Sequence, residues 1–241
     1  QKVDVLLAPG LNTKRSSLCG RSFEYYSEDP YLSGKLAAGF IRGAQKQGVS
    51  ACAKHYAANA QELLRMHSDS VMDERTLREM YLTNFEIAIK EGKPGFVMTA
   101  YNRVNGVYAN ESRHLLGDIL RGEWGFDGAV VTDWGGSNSI VEGVREGMNL
   151  EMPAAGDDSP CQLVKAVKDG TIDEKIVDER VDQLLDFVLA EHKSGETSFD
   201  AAKQHQAAEA AAEKCLVLLK NDEHLLPLKK DARVAVIGEF A

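Results

Sequence analysis

Hydrophobic and polar positions along the chain follow two rhythms. Short β-branched or apolar runs recur at Val3–Ala8 (VDVLLA), Ser50–Tyr56 (SACAKHY), Gly95–Tyr101 (GFVMTAY), Gly128–Trp134 (GAVVTDW) and Met148–Met152 (MNLEM). Each is the length of a buried strand. Between them apolar residues fall at helical spacing. Over Glu74–Glu91 the residues Leu77, Tyr81, Phe85 and Ala88 line one face, Asp73 is placed to cap the start, and Gly92 followed by Pro94 marks the stop. A helix is expected from Ser159-Pro160 to Gly170 with Leu163, Val164 and Val167 inward. Another runs from Glu174 to Lys193 with Val177, Val181, Leu184, Leu185 and Val188 on one stripe. Strands alternating with helices of this size imply parallel βαβ units, an α/β fold.

Continuous apolar strands covered on both faces suit a closed (β/α)₈ barrel or an open doubly wound sheet. No G-x-G-x-x-G follows the first strand, which weakens the dinucleotide-binding reading. Polar, reactive residues sit instead at the C-terminal ends of three strands: Lys54-His55, Tyr101-Asn102 and Asp133-Trp134. A barrel active site is built from such strand ends. The polar stretch Lys193–Ser198 reads as a linker, followed by an alanine-rich helix over Asp200–Lys214 and strands at Cys215–Leu219 and Arg233–Gly238. The expected organisation is therefore an incomplete (β/α)₈ TIM-type barrel over 1–194, with five strands where eight are wanted, and the opening of a second domain over 195–241. The first residues, Gln1-Lys2-Val3-Asp4, show neither an initiator Met nor a signal-peptide pattern, so the chain reads as an internal piece of something longer.

Charge narrows the partners. With 37 acidic against 28 basic residues the net charge is −9, a field that repels phosphate backbones and anionic lipid. Neither nucleic acid nor a membrane is an expected partner, and no apolar run approaches the roughly 20 residues of a spanning helix. Cys19, Cys52, Cys161 and Cys215 have no C-x-x-C spacing and read as free thiols, with the compartment undecided. The histidines show no H-E-x-x-H or paired spacing, so a metal site is not indicated.

Asp133 ends an apolar run and is followed by Trp134, Gly135 and Gly136. A carboxylate at a strand mouth beside an aromatic ring suits a bound sugar: the ring packs on the apolar face of a pyranose while the carboxylate attacks or stabilises the anomeric carbon. The alternative is an aspartate capping a helix over Asn138–Glu146. Lys54 and His55 read either as ligands for sugar hydroxyls or as a solvated loop pair. Arg21 could fork onto vicinal hydroxyls or pair with Glu24 or Glu28. Arg65 is equally open, and Tyr101 either hydrogen-bonds the Asp133 carboxylate or packs in the core. His67 with Asp69 is a weaker candidate for a proton-transferring pair on a loop. A lyase or aldolase using Lys54 as a Schiff base is a further alternative.

Taken in order, GRSFEYYSEDPYL (Gly20–Leu32), AKHYAANAQE (Ala53–Glu62), DERTLREMYLTNFEIAIKEG (Asp73–Gly92), VMTAYNRVNG (Val97–Gly106), LRGEWGFDGAVVTDWG (Leu120–Gly135) and VLLKNDEHLLPL (Val217–Leu228) resemble glycoside hydrolase family 3, the β-glucosidase type. The resemblance implies a (β/α)₈-type domain followed by an α/β sandwich, and retaining hydrolysis of terminal β-linked glucose or a related sugar. It makes Asp133 the nucleophile with Trp134 beside the sugar. It makes Arg21, Lys54, His55 and Arg65 hydroxyl ligands, and Met98 and Tyr101 pocket residues. It implies that an upstream aspartate and the acid/base glutamate lie outside these residues, so that the chain by itself is expected to be inactive. A β-N-acetylglucosaminidase-like variant would use His67-Asp69, although the Pro-Gly-His-Gly portion of that branch's motif is missing after Lys54-His55-Tyr56. No metal or organic cofactor is expected, since two carboxyl groups suffice for the chemistry. The expected partner is a β-glucoside or oligosaccharide, with exposed barrel edges offering a route to homo-oligomers or domain swapping.

Overall fold

Among the described residues, the strands in chain order are β1 (Val5–Leu6), β2 (Ser50–Tyr56), β3 (Asp69–Ser70), β4 (Phe96–Thr99), β5 (Arg103–Val104), β6 (Val107–Tyr108) and β7 (Ala129–Val131). The computed structural model describes residues 3–190 and 199–239. The chain divides into two units, residues 1–194 and 195–241.

In the first unit a main sheet runs β1-β2-β4-β7, every neighbour parallel. Successive strands always add on the same side. A doubly wound sheet would reverse direction at a switch point, whereas a monotonic order is that of a barrel wall. The fold is thus α/β, an incomplete TIM-type barrel. The fifth run, Met148–Met152, contributes only a single parallel bridge from Leu150 to Val131 and forms no strand of its own. The Gly95–Tyr101 and Gly128–Trp134 runs also lose residues at both ends, because the ladder stops where neighbouring strands no longer run alongside.

Helices fall between and after these strands. They are α1 (Pro30–Gln45), α2 (residues 74–92), α3 (Arg113–Glu123), α4 (Ile140–Glu146), α5 (Asp158–Lys168) and α6 (Glu174–Ala190). In α2 α-helical turns alternate with wider π turns, and α3 is of π type throughout. Asp73 caps α2 by accepting from Thr76 N at 2.7 Å. At its other end Lys93, not Gly92, takes the left-handed conformation (φ 53°). Gly92 serves close packing instead: a Cβ there would lie 3.0 Å from Ile41 Cδ1 and 3.2 Å from Ala38 Cα of α1.

Alternation along the strands divides the core. Ala51, Ala53, Val97 and Val130 face α1, α2 and α3 with Ile41, Phe85, Leu116 and Ile119. Fully burying side chains of this size contributes about 2 kcal/mol each. Cys52, Phe96, Met98, Ala129 and Val131 form the opposite, inner face, where α6 adds Leu184 and Phe187. The expected α6 stripe is thereby corrected: Val181, Leu185 and Val188 stay about half exposed. The Lys193–Ser198 linker and the last turn expected for α6 lie outside the described residues. A small second sheet, β3-β5-β6, closes through the Asn105-Gly106 turn, where both residues have positive φ.

The second unit holds helix α7 (Ala201–Cys215), capped by Asp200. The strands expected at Cys215–Leu219 and Arg233–Gly238 do not form. Cys215 ends α7 and, among the described residues, neither run pairs with another segment, so neither gains the ladder that defines a strand.

Candidate active site

The C-terminal ends of β2, β4 and β7 point the same way, and the functional side chains gather there. A bulge makes this possible on β2. Lys54 pairs with Met98 and Tyr56 with Thr99, so His55 is an extra residue against β4. In a regular strand adjacent side chains point to opposite faces; the bulge re-aims them. Both residues consequently reach one cluster: Lys54 Nζ lies 3.3 Å from Glu24 Oε2, and His55 Nε2 lies 3.4 Å from Asp133 Oδ2. The connection from β1 to α1 is tied to the same strand end, because Gly10 bridges Lys54 in parallel register.

Asp133 follows β7 by two residues and is only 8% exposed. Its Oδ1 accepts from Trp134 N at 2.8 Å. Its Oδ2 is buried without an aligned hydrogen bond, and faces Arg21 Nη1 at 3.8 Å as well as His55. The helix-capping alternative is excluded, since Ser139 Oγ caps α4 by accepting from Glu142 N at 3.3 Å. A carboxylate with one oxygen anchored by a backbone N–H and the other flanked by a guanidinium and an imidazole is equipped to act as a nucleophile or to stabilise positive charge.

Arg21 is divided between two anions: its Nε bonds Glu24, while Nη1 faces Asp133. Glu24 in turn holds Lys54, so one carboxylate orients two cations. Lys54 is thus an engaged group, not the isolated amine in an apolar cage that Schiff-base chemistry needs. His55 is buried, and burial, reinforced by Arg21, Lys54 and Arg65, pushes its pKa well down, so the ring is neutral near pH 7. Tyr101 Oη donates to Trp134 O at 2.8 Å, and the Arg65 guanidinium sits 4.6 Å from the Tyr101 ring centroid. Burial, and then the adjacent Asp133 charge, push the Tyr101 phenol up to about 12. Arg65 is held by Glu62 at 2.7 Å. Trp134 is 43% exposed. Met98 is buried in the inner-face cluster with Val131.

The structure gathers Arg21, Lys54, His55, Arg65, Tyr101, Asp133 and Trp134. It does not join His67 to Asp69. His67 is exposed, and Asp69 accepts from Gly106 N at 3.1 Å, stabilising the small hairpin. Sequence reasoning passed over two supporting residues, Asn12 and Tyr25. Asn12 clamps the His55 backbone, donating to His55 O at 2.9 Å and accepting from His55 N at 2.8 Å. Tyr25 Oη lies 3.2 Å from His55 Nδ1. The only sequence signal for either is a polar or aromatic residue next to a glycine-bearing stretch. A separate cleft of about 950 Å³ is walled by Cys19, Gly20, Glu62, Ser68 and Asp69 among others, and Asp133 is not part of its wall. Among the described residues no group of three His, Cys, Asp or Glu side chains is placed to hold a metal, and no helix is long and apolar enough to cross a membrane.

The chain is 49% identical over its whole length to thermostable beta-glucosidase B of Acetivibrio thermocellus, and 42% identical to an exo-alpha-(1->6)-L-arabinopyranosidase of Bifidobacterium longum. It spans 32% and 33% of those two proteins, about a third of the length of each. The crystal structure of a GH3 beta-glucosidase from Bifidobacterium adolescentis superposes with a TM-score of 0.93 at 43% identity, covering 100% of this chain and 36% of that one. Beta-glucosidase 3B from Thermotoga neapolitana, solved in complex with alpha-D-glucose, gives 0.88 at 43% identity, covering 94% of this chain and 33% of that one. Residues 1–187 match the glycosyl hydrolase family 3 N terminal domain, and the chain belongs to that family.

Proposed function

We propose that this segment carries the nucleophile-bearing part of a retaining, exo-acting β-glycosidase, with a terminal β-D-glucosyl residue as its sugar. The supporting observation is the state of Asp133: one carboxylate oxygen anchored, the other buried, unbonded and facing Arg21 and His55 at a strand mouth. In the first step Oδ2 attacks the anomeric carbon, the bond from that carbon to the leaving oxygen breaks, and a second carboxylic acid gives the leaving oxygen its proton. In the second step water attacks the same carbon, Asp133 departs as carboxylate, and the second carboxyl group, now a carboxylate, takes the proton from water. We place that second carboxyl group outside the described residues. The two nearby candidates, Glu24 and Glu62, are each engaged by cations.

In this reading Arg21, Lys54, His55 and Arg65 bind and orient sugar hydroxyls, Tyr101 steadies the loop carrying the nucleophile, and Trp134 offers its ring to the pyranose. Residues 195–241 open a second domain. The relative named as an arabinopyranosidase supports a second reading in which the sugar is an α-L-arabinopyranosyl residue. In the competent polypeptide carrying this segment, Asp133→Asn is expected to abolish labelling by a 2-fluoro-glucoside and to lower turnover of nitrophenyl β-glucoside by on the order of 10⁴-fold or more. A variant that still forms the covalent adduct overturns the assignment. Running nitrophenyl α-L-arabinopyranoside alongside separates the two sugars. Robust turnover by the 241-residue chain alone would put the acid among these residues.

A further inference from the structure

We infer that Tyr25 is a positioning residue that fixes the proton of His55 on Nε2, so that the nitrogen facing Oδ2 of Asp133 carries a proton instead of a bare lone pair. The inference rests on the reading of Asp133 given above. His55 has two ring nitrogens in different surroundings: Nδ1 lies 3.2 Å from Tyr25 Oη and Nε2 lies 3.4 Å from Asp133 Oδ2. Tyr25 and His55 are both buried, at 3% and 1% exposed. Among the described residues, Nδ1 is the one partner of the Tyr25 hydroxyl.

A buried O–H left without an acceptor is costly, and Tyr25 keeps its proton because burial raises its pKa. The hydroxyl therefore donates, Nδ1 accepts, and a neutral imidazole must carry its single proton on Nε2. The opposite tautomer would strand the phenol proton and set a bare nitrogen lone pair against a carboxylate. Neither partner can drift. The Tyr25 ring lies against Gly10, where a Cβ would come within 3.1 Å of two ring carbons, and Asn12 clamps the His55 backbone from both sides. At 3.4 Å the Nε2–H is too distant for a strong hydrogen bond. It sets a positive dipole against the carboxylate without occupying the lone pair that must attack. Tyr25 acts only through His55, and would touch neither substrate nor nucleophile.

The test combines a spectrum and a rate. In the 241-residue chain grown with isotope-labelled histidine, the proton–nitrogen correlation of His55 is identified by its loss in His55→Gln. The wild-type pattern is expected to be that of an Nε2-protonated, Nδ1-bare ring. Tyr25→Phe keeps the ring packing and is expected to move the pattern toward a mixture of tautomers. In the competent polypeptide the same substitution should lower kcat about tenfold, the size of one lost buried hydrogen bond, with KM changed by less than about twofold. A purely structural role would lower the melting temperature and leave the His55 pattern alone. A wild-type ring protonated on Nδ1 overturns the inference, even where Tyr25→Phe does not fold. So does a folded Tyr25→Phe with unchanged pattern and unchanged kcat. Labelling of Asp133 beside an Nδ1-protonated His55 sinks the tautomer assignment alone. Labelling of another carboxyl group sinks the functional reading, and the spectrum still decides the tautomer.

Discussion

Three glycines on helix α1 make a controlled test of how tightly the barrel wall is packed. Gly34, Gly39 and Gly43 lie in the same helix, so replacing each by alanine brings the same gain in helix propensity, about 1 kcal/mol. Their surroundings differ. A Cβ at Gly39 or Gly43 meets nothing within 4 Å. At Gly34 it would lie 2.8 Å from Ile87 Cβ and 3.0 Å from Asn84 O. Carbon atoms in contact prefer about 3.5 to 4 Å. Neither neighbour can swing aside, because one is a backbone oxygen and the other is bonded directly to the backbone. Helix α1 must then move away from α2, and overpacking of this kind costs about 1 to 3 kcal/mol.

Gly39→Ala and Gly43→Ala should therefore stabilise by about 1 kcal/mol each, raising Tm by about 2 to 4 °C in a unit of this size. Gly34→Ala should come out about 2 kcal/mol below them, a net loss of about 1 kcal/mol. Urea unfolding followed by the fluorescence of Trp124, which is buried in the core that α1 and α2 share, measures all three. A second effect is expected at Gly34 alone. Ser33 Oγ lies 3.4 Å from Leu11 O, the Asn84 side chain donates to that same oxygen, and the next residue, Asn12, clamps His55. In the competent polypeptide proposed above, activity should fall in Gly34→Ala and not in the other two. If Gly34→Ala stabilised the protein as much as Gly39→Ala, the close approach of the two helices would be refuted.

Two further expectations concern buried charge. His55 has a pKa depressed below its ordinary 6.5, so on acidification the unfolded chain takes up a proton that the folded ring refuses. The stability this represents is complete above about pH 6.5 and is lost as pH falls from there toward the folded value, by at most about 1.4 kcal/mol per pH unit. Urea midpoints between pH 7.5 and 5 should slope less steeply in His55→Gln than in the wild type, and parallel slopes would contradict a neutral buried ring. Arg121 sends Nη1 to Phe126 O and Gly128 O and Nη2 to Gly147 O and Asn149 Oδ1, with burial lowering its pKa to about 10. A lysine has one nitrogen with which to replace this fork, so Arg121→Lys should cost about 3 kcal/mol in chemical denaturation; a loss below about 0.5 kcal/mol would mean the four contacts are not cooperative.

Much of the site was legible because its side chains stand at the ends of apolar runs. Asp133, Lys54-His55 and Tyr101 each follow a stretch whose length and composition mark a buried strand, and strand ends are where such a wall presents its chemistry. The Arg21–Glu24 pair was one of two alternatives visible in GRSFE. What escaped had no periodic signal. Tyr25 and Asn12 act through single hydrogen bonds between loops far apart in the chain. Helix α1 was missed although Asp29-Pro30 is a strong start, because Leu32, Leu36 and Phe40 stay exposed while Ser33, Gly34, Ala37 and Ala38 are buried, an inversion of the usual pattern. The Asn105-Gly106 hairpin did carry a turn signal, but its strands are only two residues long and give no alternation to read.

The monotonic parallel order also dictates how the pocket comes into being. No strand of the main sheet can meet its neighbour until the crossover between them has been synthesised, so Val5 waits for Ser50, Cys52 for Phe96 and Phe96 for Ala129. Such high contact order makes folding slow, and leaves strand edges exposed while the ribosome is still working. Arg21 and His55 emerge long before the aspartate they face. The set of charges at the mouth is thus completed only when β7 docks, and a pause in translation before Asp133 would leave Arg21, Lys54 and Glu24 in place without the carboxylate that Arg21 and His55 face.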